Sequence, residues 1–367
     1  MLSIETRNYP LSSESRQSGE RANSLNGAIM KAYLWEPLED KKVKCSLCSH
    51  RCVIRDGRRG ICAVRENRGG ILETLVYGNL VARHIDPIEK KPLFHFLPDT
   101  LSYSIATVGC NFRCRFCQNA DIAQIPTDHQ GTIMGSSSTP REVAEAAEQG
   151  GCRSISYTYT EPTVFFEFAY ETARLAHERG LRNVFVTNGY MTAEALEMIS
   201  PYLDAANVDL KAFSDEFYKN LCGARLKHVQ ATLKLMKTLG IFVEVTTLIV
   251  PGLNDDPAEL KDLAAFVVED LGPETPWHIS RFHPTYQLTD RPSTPVATLA
   301  AAREIGLNAG LRYVYTGNVP GDAGENTFCY GCGERVIERW GFRVGQLGIE
   351  ENGKCTHCGV EIDGVWK

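Results

Sequence analysis

The sequence predicts an α/β protein: a full or partial β/α barrel set between an N-terminal cysteine-rich module and a C-terminal module with four cysteines. Three observations predict it. Between residues 101 and 309, short apolar strand-like runs alternate with stretches of helical period, the pattern of parallel βαβ units. Eleven of the 13 cysteines fall into three tight groups with metal-ligand spacing. The unusual polar residues gather where the strands end, which is where β/α folds collect their chemistry.

Residues 1–28 are polar and rich in Ser, Arg and Glu without an apolar core, and read as a disordered tail rather than a secretory signal. Glu5, Glu14 and Glu20 also argue against a transit peptide, which is poor in acids. The N-terminal cysteine-rich module is expected over 29–98, the barrel over 99–316 and the C-terminal module over 317–367. Within the barrel, 101–108 reads as a buried strand running straight into three cysteines. Thr139, Pro140 and Glu142 open the first helix with an N-cap, a first-turn proline and a capping-box glutamate, and Gly150 and Gly151 stop it. Further strands are expected at 155–159, 183–186, 206–210, 242–250 and 277–282, with a short seventh at 313–315. Helices are expected at 165–179, 193–199, 228–239, 257–271 and 298–309. A doubly wound open sheet fits the same alternation, so the pattern alone leaves both architectures open.

At 367 residues, 43% hydrophobic and 23% charged, the chain can bury one large core and has the make-up of an ordinary soluble protein. No apolar run approaches the roughly 18 residues that span a bilayer, so no membrane is expected as a partner. A net charge of −6 gives no global reason to expect nucleic acid. An odd count of 13 cysteines, clustered in a chain without a signal peptide, points to metals in a reducing compartment. The cytoplasm is the expected location.

The segment Gly109-Cys110-Asn111-Phe112-Arg113-Cys114-Arg115-Phe116-Cys117 sets three thiolates on one loop, with three and then two residues between them. Three soft thiolates suit an iron–sulfur cluster. A cubane held by three cysteines leaves one iron open, and an open metal position is where a substrate or cofactor binds. Phe116 stands just before the last ligand, where it could shield the cluster from solvent. The plainer alternative is a structural zinc with a distant fourth ligand, but this spacing is less usual for zinc and the loop sits at the catalytic end of a strand.

This loop, its place after the first strand and the strand-end residues downstream resemble the radical SAM superfamily. The nearest likeness is to the radical SAM member of the AmmeMemoRadiSam system, related to the activases of glycyl-radical enzymes such as pyruvate formate-lyase. It runs from about residue 30 to the C-terminus. It includes Cys45-Ser46-Leu47-Cys48-Ser49-His50-Arg51-Cys52, Asp86-Pro87-Ile88-Glu89-Lys90-Lys91-Pro92, Tyr157-Thr158-Tyr159-Thr160-Glu161-Pro162 and the final cysteine pairs. The resemblance implies a (β/α)6-type partial barrel, a 4Fe–4S cluster on Cys110, Cys114 and Cys117, and S-adenosylmethionine (SAM) chelating the open iron. It matches Tyr159-Thr160-Glu161-Pro162 to a Gly-Gly-Glu-Pro segment that contacts the SAM amino group, so both glycines are replaced here. Glu161 can still accept from an ammonium, while Tyr159 and Thr160 must accommodate SAM differently. Asp209 and Lys211 match residues that contact the SAM ribose or carboxylate, and Asn188 and His283 match further approaches to SAM. Without the resemblance, Glu161 is a helix-start acid and Asp209 with Lys211 a plain ion pair.

Cys329, Cys332, Cys355 and Cys358 form two C-x2-C knuckles separated by 22 residues, close to a zinc-ribbon spacing. Such a closed Zn2+ site is usually structural, and a small module with few apolar residues needs one to fold. Cys45, Cys48, Cys52 and Cys62 fit either zinc or a second iron–sulfur cluster; zinc is favoured because the spacing matches no familiar cluster pattern. Around them, 41–68 carries nine Lys/Arg against two Asp/Glu, a face able to dock an acidic partner, an electron donor or a nucleic acid. A solvated surface is the commoner explanation, and nucleic acid is not the expected partner. Cys152 and Cys222 have no motif partners and read as buried hydrophobes.

The expected function is enzymatic. A donor of flavodoxin or ferredoxin type supplies one electron, SAM is split to methionine and a 5′-deoxyadenosyl radical, and the radical takes hydrogen from a small-molecule substrate, with partner proteins of the same system. Two alternatives stay open: an activase that installs a glycyl radical on a partner enzyme, and a non-catalytic binding module stapled by metals.

Overall fold

The computed structural model describes residues 29–367, so the expected tail at 1–28 lies outside the described residues. Eight strands share one sheet: β1 (Ala82–Pro87), β2 (Leu101–Ala106), β3 (Ser154–Tyr157), β4 (Arg182–Thr187), β5 (Ala205–Asp209), β6 (Phe242–Ile249), β7 (Trp277–Arg281) and β8 (Val314–Gly317). They lie in sequence order from edge to edge, β1 antiparallel to β2 and all the others parallel. A doubly wound sheet needs a point where strand order reverses, and this sheet has no such point. With right-handed crossovers, an unreversed order sends every connecting helix to one face. The architecture is therefore a partial β/α barrel, open between β1 and β8.

The α-helices longer than four residues are α1 (Pro140–Gln149), α2 (Phe166–Glu178), α3 (Ala193–Ile199), α4 (Leu226–Thr238), α5 (Pro257–Phe266) and α6 (Val296–Asn308). The box at the start of α1 closes both ways: Glu142 N donates to Thr139 Oγ1 at 3.2 Å and Thr139 N to Glu142 Oε2 at 2.8 Å. The helix expected over 257–271 divides, because α5 ends at Phe266 and a π-helical turn, Val267–Leu271, follows. One boundary is corrected more substantially. Residues 82–87 were expected in the N-terminal module, yet they form β1, the outermost strand of the main sheet. An edge strand exposes one face, and Arg83, His84 and Ile85 lie exposed; the run therefore lacks the apolar signal of its buried neighbours.

Both cysteine modules pack on this frame. The N-terminal module holds two small antiparallel sheets and sits on the C-terminal rim of the strands. Ser49 N donates to Tyr190 O at 2.9 Å, Thr192 Oγ1 to Ser46 O at 2.7 Å and His50 Nε2 to Asn111 O at 2.8 Å. The C-terminal module is a three-stranded antiparallel sheet (Thr327–Phe328, Arg335–Trp340 and Arg343–Leu347). The segment after β1 joins it to the barrel. Asn207 of β5 donates to Pro92 O at 2.7 Å, His95 N donates to Glu244 Oε1 of β6 at 2.8 Å, and Arg339 Nη2 donates to Phe94 O at 2.8 Å.

Candidate active site

The loop after β2 is shaped by the glycine just before its first cysteine. Gly109 has φ +104°, and a Cβ there would lie 2.6 Å from Val64 Cγ1, so glycine is required by both backbone and space. Beyond it the backbone is pinned at several points. Arg113 N donates to Cys222 O at 2.8 Å, Arg115 N to Leu221 O at 3.0 Å, and Gln124 Nε2 to Phe112 O at 3.1 Å. Cys110, Cys114 and Cys117 consequently line a single cavity of about 530 Å3 inside the rim, within the roughly 300–1,000 Å3 of small-molecule sites. Phe116, Thr160, Glu161, Asn188, Asp209 and Lys211 line the same cavity. His283 is not among its walls: it is exposed, with Nδ1 3.0 Å from Ser293 Oγ. The chain turns outward after β7, so Ser280 represents that strand in the cavity.

The donor set fits a cluster. Among the described residues, only Cys329, Cys332, Cys355 and Cys358 bring three or more ligating atoms all within 4.8 Å of one another. In a tetrahedral site with metal–sulfur bonds of about 2.3 Å, sulfurs stand about 3.8 Å apart. The C-terminal set matches that size, with Cys329–Cys358 at 3.6 Å and Cys332–Cys355 at 3.9 Å. Cys110, Cys114 and Cys117 are spread more widely, as thiolates on the corners of a cage of irons must be. Phe112 N donates to Cys110 Sγ at 3.3 Å, and Asn188 Nδ2 lies 3.8 Å from the same sulfur. Without metal the thiols hold their protons: burial raises Cys110 well above its ordinary range and pushes Cys117 up to about 11. Cys114 is raised by its neighbour Cys222 and by burial. Binding of a cluster is thus coupled to proton release.

Glu161 occupies an unexpected position. It is 1% exposed, and both its oxygens are engaged by the protein. Oε1 accepts from Thr163 N at 3.0 Å, from Thr163 Oγ1 and from Thr187 Oγ1 at 2.8 Å, while Oε2 accepts from Asn188 N at 2.8 Å. Burial raises its pKa against the pull of these donors. In this state the carboxylate ties the ends of β3 and β4 together, and Asn188 in turn donates to Asn111 Oδ1 at 2.7 Å on the cysteine loop. Lys211 Nζ and Asp209 Oδ2 are 2.8 Å apart, partly buried, with the ammonium 5.9 Å from the Phe116 ring.

Two further residues, Lys91 and Tyr159, line the cavity, and both bond Asp86. Lys91 Nζ donates to Asp86 Oδ2 at 2.7 Å, and Tyr159 Oη donates to the same oxygen. Tyr159 has φ +62°, a conformation that glycine adopts freely and other residues at a cost. The backbone thus keeps a glycine-like turn where the resemblance places glycine, and the side chain gains Asp86 as its partner. Asn119 Nδ2 also donates to Tyr159 O at 2.7 Å, tying this turn to the cysteine loop. The signal was present in the charged run at 86–92, but without periodicity nothing in it located a cavity. A second groove, about 520 Å3, lies outside between α4 and α5 and holds none of the motif residues.

The chain is similar to several known proteins. The profile of the radical SAM superfamily matches residues 104–267. A protein of Methanocaldococcus jannaschii described as uncharacterized is 49% identical over 336 residues, 91% of this chain and 99% of its own length. The pyruvate formate-lyase 1-activating enzyme of Escherichia coli K12 is 24% identical over 169 residues, 45% of this chain and 67% of the enzyme. That of Clostridium pasteurianum is 24% identical over 159 residues, 43% of this chain and 66% of the enzyme. Among solved structures, a radical SAM methyltransferase from Sphaerobacter thermophilus aligns with a TM-score of 0.47 and 16% identity, covering 63% of this chain and 71% of its own. The chain belongs to the radical SAM superfamily and is related to the activating enzymes of pyruvate formate-lyase.

Proposed function

We propose that Cys110, Cys114 and Cys117 hold the 4Fe–4S cluster, and that this chain uses radical SAM chemistry on a small-molecule substrate. The observation that carries the reading is one cavity lined by three thiols, the Asp209–Lys211 pair, and Lys91 and Tyr159, which share Asp86 as a partner. The cluster and SAM, when bound, supply a 5′-deoxyadenosyl radical. The protein's part is to bind, orient and exclude water. Asp209 can accept from the ribose hydroxyls and Lys211 can donate to the SAM carboxylate. Asn188 holds the cysteine loop and Phe116 walls it. Glu161 acts here as a positioning residue through Asn188 and Thr187, or gives up one of its bonds when the SAM ammonium arrives.

The small-molecule reading is supported by the cavity's surroundings. Asn318 and Phe342, from the segment and module beyond β8, stand among its walls, which narrows the room for a partner's backbone. Kinship with the activating enzymes favours the second reading, a glycyl radical installed on a partner protein. The narrower kinship with the AmmeMemoRadiSam enzymes, the zinc in the C-terminal knuckles and a flavodoxin- or ferredoxin-type donor belong to the same proposal. The basic run at 41–68 is a docking face for such an acidic donor. The reduced, loaded chain can be offered the small-molecule and protein fractions of a cell extract separately. Stimulated 5′-deoxyadenosine release with the small-molecule fraction alone is the expected result. Stimulation by the protein fraction alone, with a glycyl doublet in the EPR spectrum, would establish the activase reading instead.

A further inference from the structure

Cys45, Cys48, Cys52 and Cys62 surround one small pocket, shared with Arg65 and Thr163. The chain carries its own standard for a single-ion site in the C-terminal knuckles, with sulfur pairs at 3.6 and 3.9 Å. The N-terminal four do not follow it. They face one pocket, yet no three of their sulfurs fall within 4.8 Å of one another. Sulfurs that face a common space without the close spacing of a single-ion site suit a larger inorganic core.

Two more features favour an anionic core. Arg65, 1% exposed, points Nη1 at Cys45 Sγ at 3.4 Å and is paired with the buried Glu167, while its Nε has no partner. A buried cation beside four thiolates offsets their charge, and an unpaired buried donor calls for an acceptor. Besides Arg65, the walls include Leu47, Ile54 and Val164, which exclude water.

We propose that Cys45, Cys48, Cys52 and Cys62 hold a second iron–sulfur cluster, in place of the zinc that their spacing alone favoured. This extends the reading of the Cys110 loop as the site of the first cluster. With every corner held by cysteine the second cluster has no open iron, so its chemistry is electron transfer. A low-potential protein donor gives up one electron, the cluster gains one, and no bond is made or broken. Its position suits that role. Thr163 of its pocket bonds Glu161, Glu161 bonds Asn188, and Asn188 Nδ2 lies 3.8 Å from Cys110 Sγ. From the other side, Cys62 O lies 3.4 Å from where a Cβ on Gly109 would be, and Arg113 reaches Ile61 O.

The test uses the full chain reconstituted anaerobically with ferrous iron and sulfide, read by acid-labile sulfide, iron content and EPR. A chain with Cys110→Ala, Cys114→Ala and Cys117→Ala is expected to retain about two to four irons with matching sulfide, and a dithionite-reduced signal that SAM does not alter. A chain with Cys48→Ser and Cys62→Ser is expected to lose that sulfide and keep a signal that SAM does alter. Triple-variant protein with zinc and no acid-labile sulfide overturns the proposal, as does a Cys48→Ser/Cys62→Ser chain with wild-type sulfide content. If the triple variant fails to fold, sulfide in the wild-type chain decides: more than about four per chain supports the second cluster, and four or fewer overturns it. Should the triple variant keep its sulfide while the Cys48→Ser/Cys62→Ser chain shows no SAM response, the second cluster stands and the reading of the first site fails.

Discussion

Lys91 and Asp86 meet beside the cavity with side chains 1% and 7% exposed, and removing Lys91 leaves Asp86 with the more exposed Lys90 and with Tyr159. Lys91→Met is expected to cost about 1–3 kcal/mol, whereas Lys90→Met, which removes the more exposed ammonium on Asp86, should cost less than about 1 kcal/mol. Urea denaturation of the two variants checks the contrast. The same pair has a pH signature. Burial lowers the Lys91 ammonium from 10.5 to about 8, against the attraction of Asp86. Between those values the unfolded chain binds a proton that the folded chain does not, so this group stabilises the fold progressively as pH rises from 8 to 10.5. The wild-type denaturation midpoint should therefore gain on that of Lys91→Met across that window; a gap that narrows with rising pH would contradict the assignment. Tyr159→Gly should relieve about 1–2 kcal/mol of backbone strain but remove the hydroxyl from Asp86. Its expected effect is weaker SAM binding with near-unchanged stability, measured by calorimetry on the loaded chain. The sequence marks Tyr159 as the end of a strand and as a missing glycine, whereas the strand ends at Tyr157 and Tyr159 turns with φ +62°. The turn could be inferred from the motif, whereas the side chain's partner could not, because Asp86 lies on a strand that was not anticipated.

The cysteine loop after β2 depends on one residue without a side chain. At Gly109 an alanine would face Val64 Cγ1 at 2.6 Å and a φ of +104°, a combination that costs on the order of 1–3 kcal/mol or displaces the loop. Gly109→Ala is expected to lower iron occupancy in parallel reconstitutions, and full occupancy at wild-type rate would show that the loop tolerates movement. The element pattern itself was largely legible. The strand series from 101 to 315 and the helices between followed from alternating apolar periods and caps, since a parallel sheet buried on both faces writes continuous apolar runs. Thr139, Pro140 and Glu142 located the start of α1 because a capping box is a purely local signal. Two features of the barrel were hidden for opposite reasons. β1 is an exposed edge, so its sequence is polar. The end of α5 is a change of helical period at Phe266 with no proline or glycine to announce it.

On the scale of the whole molecule, barrel and modules form one continuous set of contacts. Arg339 of the C-terminal sheet reaches Phe94 O, and Asp363 pairs with Arg312 at 2.8 Å. If Cys329, Cys332, Cys355 and Cys358 hold the proposed metal, its loss should therefore be felt beyond the module. A Cys332→Ser/Cys355→Ser chain is expected to lose one metal ion and to melt roughly 5 °C or more below wild type; an unchanged Tm would mean that the module is independent of the barrel. Sequence spacing identified this site because two C-x2-C knuckles are local in sequence as well as in space. The N-terminal four were ambiguous because ligand spacing along the chain does not report distances between sulfurs, which only the folded pocket supplies. Strand-end position brought most of the predicted site together, and failed at His283 because a loop can leave the rim as easily as follow it. Among the described residues no helix is long and apolar enough to cross a membrane. The central claim is that the Cys110, Cys114 and Cys117 loop makes this barrel a SAM-cleaving enzyme. Its most direct test is release of 5′-deoxyadenosine from SAM by the anaerobically reconstituted full chain with dithionite. Wild type should release it, and Cys114→Ala should fall by about 100-fold or more; a Cys114→Ala chain that cleaves SAM at the wild-type rate would contradict the account.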